Sequence, residues 1–63
     1  MTYAERVRYL HFYISLTAYY ARCQRSAVAR GWEYAADVHR MAGLRAARLW
    51  RSEAARLGLA GPH

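Results

Sequence analysis

A chain of 63 residues with ten arginines, no lysine, four acidic side chains and a formal net charge of +6 is one small domain at most, able to bury only about 60% of the surface its unfolded form exposes. Its single cysteine, Cys23, excludes an intrachain disulfide, and its charge favours acidic or polyanionic partners over basic ones. Domains below about 70 to 80 residues usually need a staple such as a disulfide, a metal or association, and association is what this composition leaves.

The chain opens on "TYAE", with Thr2 and Glu5 at the spacing of a capping box, in which each side chain satisfies a free backbone N–H at the other position. A first helix is therefore predicted over residues 3–30. Nothing interrupts it before Gly31, and Arg22, Arg25 and Arg30 gather in its last turns, where cations suit the negative end of the helix dipole. Within it lies "YLHFYISLTAYYA", thirteen residues without a formally charged side chain.

A turn is expected at 30–32. A second helix is predicted over 33–57, since "WEYAADVHRMAGLRAARLWRSEAARL" is rich in Ala, Leu and Arg and carries Glu33 and Asp37 near its start. Gly58 is placed to cap it, and 58–63 reads as a frayed tail. There is no strand candidate. The fold class expected is all-α, an antiparallel two-helix hairpin forming a single domain over 1–63, which completes a four-helix bundle or docks on a partner. Its rivals are a continuous rod, because Gly inside a helix costs only about 1 kcal/mol, and a three-helix chain broken at Gly43.

Set out at about 100° per residue, helix two has one apolar half made mostly of small residues. Ala35, Ala36, Ala42, Gly43, Ala46, Ala47 and Ala54 would let a neighbouring backbone approach, with Trp32, Val38, Leu49, Trp50 and Leu57 as larger members. Helix one has two apolar arcs. Tyr3, Val7, Leu10, Ile14, Ala18, Ala21 and Val28 form the first at three-and-four spacing. Tyr9, Phe12, Tyr13, Leu16, Tyr19, Tyr20, Cys23 and Ala27 form the second. Narrow polar seams separate them, one of Arg6 and Gln24, the other of Arg8, His11, Ser15, Arg22 and Ser26.

One companion helix covers one arc. The Val7, Leu10, Ile14 arc is expected to be the internal seam, leaving Tyr9, Phe12, Tyr13, Leu16 and Tyr20 as a partner-binding surface, because large exposed apolar patches mark interaction sites and Tyr keeps its hydroxyl at a wet rim. Both arcs could equally serve as the core of a homodimeric four-helix bundle. In length and two-helix form the chain resembles small plasmid-encoded RNA-binding hairpins that dimerise into four-helix bundles; the likeness is architectural, shares no motif and carries no residues across.

Chemistry is sparse. No glycine-rich phosphate loop, paired carboxylates or nucleophile-base arrangement is legible, so no catalytic residues, no cofactor and no enzyme activity are assigned. Cys23, His11 and His39 are too scattered for a metal site, and His39 reads as a packed structural histidine. Cys23 reads as a small half-buried apolar residue.

Arg40, Arg48 and Arg51 share a helical face flanked by Arg45 and Arg56, a stripe for anions or for RNA or DNA phosphates. A helix-turn-helix centred on "MAGL" carries little weight, because the helical pattern continues through it. Thirteen helical residues reach about 20 Å, short of the roughly 30 Å of a hydrocarbon core, so no transmembrane segment is expected. Tyr and His also make a poor core for a signal peptide, and peripheral membrane contact through the aromatic arc ranks last. The function expected is a small non-catalytic protein interaction module, binding itself or another protein in an intracellular, cytoplasmic setting, with nucleic-acid binding as the alternative.

Overall fold

The structure, a computed structural model, describes residues 1–59; most of the expected frayed tail, at 60–63, lies outside the described residues. Two helices, α1 (Tyr3–Ala29) and α2 (Glu33–Arg56), run antiparallel as a hairpin, with principal Cα extents of 42 × 25 × 12 Å. The chain is thus all-α and hairpin-shaped. Neither the rod nor a break at Gly43 occurs, because α2 passes through Gly43 uninterrupted.

The start of α1 is the capping box. Thr2 Oγ1 accepts from the Glu5 backbone N–H at 3.2 Å, and the Glu5 carboxylate accepts from the Thr2 N–H at 3.4 Å. The end of α1 is set by Gly31, whose φ of +74° is a left-handed conformation that costs a side-chain-bearing residue dearly. There the Trp32 N–H donates to the Ala27 carbonyl at 2.9 Å and the Gly31 N–H to that of Val28 at 3.0 Å, the paired bonds of a Schellman ending. The chain reverses within three residues and α2 begins without a side-chain cap.

The helices meet along a heptad seam, a three-and-four alternation that keeps one line of each helix against the other. On α1 the line is Arg6, Leu10, Tyr13, Thr17, Tyr20, Gln24 and Ala27; on α2 it is Ala36, His39, Gly43, Ala46, Trp50, Glu53 and Leu57. All of these are buried or half-buried. This corrects the expectation that the Val7, Leu10, Ile14 arc forms the internal contact, for Ile14 is 40% exposed. The contact line runs between the two arcs, along the narrow Arg6 and Gln24 seam, and takes Leu10 from one arc and Tyr13, Tyr20 and Ala27 from the other.

The reason lies on α2. Its side of the seam is small at Ala36, Gly43 and Ala46, so α1 sits close there and larger α1 side chains splay to either side. A Cβ added at Gly43 would stand 3.4 Å from that of Tyr20, which lets the Tyr20 ring cross α2 and stack on His39, with centroids 6.4 Å apart and planes at 28°. Three polar members of the line are paired. Arg6 donates from Nε and Nη2 to Glu53 Oε1, each at 2.9 Å, and the Thr17 hydroxyl donates to the Tyr13 carbonyl at 2.9 Å.

The resulting core is thin. Among the described residues only Leu10, Ala27, Ala36, Ala46, Ala47 and Ala54 are buried. Val38, Leu49 and Trp32, expected on the covered half of α2, are instead exposed; Trp32 lies at the turn with the Arg30 guanidinium 4.9 Å above its ring.

The two central glycines should respond oppositely to alanine. At Gly31 nothing lies within 4 Å of the added Cβ, so Gly31→Ala meets only the backbone penalty and should destabilise by about 1 kcal/mol. Gly43→Ala, which reaches only the near edge of ordinary contact and gains helix propensity, should leave thermal stability equal or higher by up to about 1 kcal/mol, whereas Gly43→Leu, which displaces Tyr20, should lower it. For the Arg6 and Glu53 pair, whose side chains are 36% and 22% exposed, a double-mutant cycle to alanine should return a coupling of about 0.5 to 1 kcal/mol, reduced by solvent screening.

Candidate interaction surface

Because the seam divides the α1 arcs, the hairpin is a two-helix ribbon with two different faces. One carries the line Val7, Ile14, Ala21 and Val28 from α1 at seven-residue intervals. On the other, a shallow groove between the helices is lined by Tyr13, Leu16 and Tyr20 from α1 and by Ala42, Arg45, Ala46 and Leu49 from α2.

The five α1 residues singled out from sequence fall into two groups. Tyr13, Leu16 and Tyr20 are half-buried and form one wall of the groove, while Tyr9 at 51% and Phe12 at 57% exposure stand outside it. Phe12 and Tyr13 meet edge to face at 5.6 Å, as do Tyr19 and Tyr20, an arrangement that suits the ring quadrupoles and fixes an aromatic ridge along α1. A second shallow depression beside Tyr9 and Phe12 is bordered by Glu5 and Arg8.

Sequence reasoning missed that α2 completes this surface. Ala35, Ala42 and Leu49 fall on one line at seven-residue spacing beside the ridge, and Val38 and Met41 extend it outward, both 47% exposed. The signal was available. In the α2 projection Val38, Ala42 and Leu49 sit at the margin of the apolar half, where they flank a contact instead of filling it.

The arginines do not gather into a single surface. Arg45 lines the groove. Arg40, seven residues before buried Ala47, and Arg51, four after it, belong to the opposite side of the seam. Arg40 Nε lies 3.6 Å from Asp37 Oδ1, and Arg56 Nη1 3.7 Å from Glu53 Oε2. The Arg51 guanidinium lies 5.6 Å from the Trp50 ring centroid, and Arg48 is exposed. Three of the five thus have partners on their own helix, all at exposed positions where such contacts are weak.

Titratable chemistry is slight. Cys23 is a free, half-buried thiol; its proximity raises the Tyr19 phenol above its ordinary value. Among the described residues no group of three His, Cys, Asp or Glu side chains could hold a metal ion, and no helix is long and apolar enough to cross a membrane. The arrangement can offer apolar and aromatic area together with one groove-lining cation. The chain matches no protein-family model, no curated protein and no solved structure.

Proposed function

We propose that this chain is a small non-catalytic interaction module, working as a homo-oligomer or as an accessory subunit of a larger assembly, with the aromatic ridge and groove as its contact surface. The support is the contrast between a core of one leucine and five alanines and the ridge and groove beside it, which leave Tyr9, Phe12 and Leu49 exposed. A domain this small has little stability of its own. Burying the ridge and groove adds about 25 cal/mol per Å² of apolar area, so association supplies what the seam lacks. Tyr suits the role because it contributes large area with few rotatable bonds while its hydroxyl stays hydrated at the rim.

The net charge of +6 supports a second reading, RNA or DNA binding through Arg40, Arg48 and Arg51. These lie away from the groove, so the two readings are physically separable. Nucleic-acid affinity resting on phosphate contacts falls steeply with salt, whereas apolar association does not.

Sedimentation equilibrium tests the first reading. The unmodified protein should be an oligomer, or should require a co-purifying subunit, and Leu16→Glu or Tyr9→Glu should weaken the association at least tenfold with helical circular dichroism retained. A folded, stable monomer that needs no partner would overturn it. For the second reading, Arg40, Arg48 and Arg51 changed together to Glu should remove salt-sensitive retention on single-stranded RNA; equal retention by both forms would dismiss it.

A further inference from the structure

The ridge and the smaller Ala42, Ala46 and Leu49 wall lie side by side on one face of the ribbon, a bulky strip next to a thinner one, which makes that face complementary to itself. We infer that it is covered by a second copy of this chain, related by a two-fold axis running along the helices, so that α1 of each copy lies on α2 of the other and the two turns share one end. This rests on the interaction-module reading and names its partner.

Size supports the inference. The chain exposes 4988 Å² of accessible surface, and the roughly 800 Å² per partner of a stable protein interface is under a fifth of it, within reach of one face of a two-faced ribbon.

Shape supports it too. With the turns together, Leu16 of one copy faces the partner between Ala42 and Leu49, a large side chain against a small-residue line. With the turns at opposite ends, α1 would lie on α1 and α2 on α2, setting aromatic ridge against aromatic ridge while the thinner Ala42 and Leu49 line met its own copy, a wedge that packs poorly.

Charge points the same way. Arg45 is the charged side chain among those lining the groove. In the opposed arrangement the two Arg45 side chains would approach each other near the axis. With the turns together each meets the Tyr and Phe rings of the other α1, a favourable cation–π contact. The remaining arginines of α2 other than Arg56 stay outside, which lets a net charge of +6 per copy remain hydrated.

Disulfide trapping distinguishes the arrangements. In a Cys23→Ser background, Leu16→Cys chains co-refolded with Ala42→Cys chains should oxidise to the mixed dimer in high yield, while neither variant alone should cross-link appreciably. Tyr9→Cys with Leu49→Cys is an independent pair that should behave alike, and circular dichroism of each reduced variant checks that it folds. Leu16→Cys cross-linking to itself, with no mixed product, would overturn the arrangement while leaving the interaction module intact. An unmodified chain that is monomeric alone but captured by another subunit would overturn self-association and not the module. A stable monomer with no partner would overturn both.

Discussion

Everything in this molecule follows from how small the α2 side of the seam is. Ala36, Gly43, Ala46, Ala47 and Ala54 let α1 approach closely, and close approach gives the hairpin a defined line of contact with little apolar volume inside it. The usual solution for a small helical domain is a seam of Leu and Ile interdigitating as knobs and holes. Here, beside Ala36, Gly43 and Ala46, the large side chains come from α1, and those too large for the space turn sideways. Tyr13 and Tyr20 start on the contact line and finish as walls of the groove. The aromatic surface is therefore produced by the packing of the hairpin, with the exposed rings as its visible consequence.

Local features were readable from sequence because they depend on a few neighbouring residues. Thr2 and Glu5 form the box their spacing implies, and Gly31 takes up the left-handed conformation that stops α1 and reverses the chain. The seam was harder to read. Two apolar arcs lie almost symmetrically about the Arg6 and Gln24 line, so hydrophobic pattern alone cannot show whether a companion helix covers one arc or sits between them. Two further facts decide it. A seam repeating every seven residues drifts by about 20° per heptad against a straight helix projection, which smears the line over the length of α1. The polar residues on it also cease to be polar in effect once paired, as Arg6 is with Glu53.

The same reasoning explains why the arginines mislead. A projection of α2 places Arg40, Arg48 and Arg51 together with Arg45 and Arg56 flanking them, but once α1 is docked Arg45 and Arg40 fall on opposite faces. Arg45 then joins the apolar groove, and Arg40 and Arg56 lie near carboxylates one turn away. Counting positive charges along a helix measures the field around the protein. It does not measure how many of those charges a single rigid anion could touch at once.

One stranded group sharpens the energetic picture. The indole Nε1 of Trp50 is buried with no hydrogen-bond partner, a loss of about 1 to 3 kcal/mol in a domain whose core seldom supplies more than about 3 to 5 kcal/mol. The Arg51 guanidinium over the Trp50 ring returns only part of that, since such contacts are worth about 0.5 to 1 kcal/mol at exposed sites. A hairpin carrying this cost on so thin a core has little stability to spare, and the ridge and groove that face outward from α1 and α2 are apolar area it has not yet buried. On the proposed reading, association through that face would raise the stability of the fold as it forms the contact. If folding and binding are coupled in this way, a substitution that weakens the contact should lower thermal stability as well, more so on dilution.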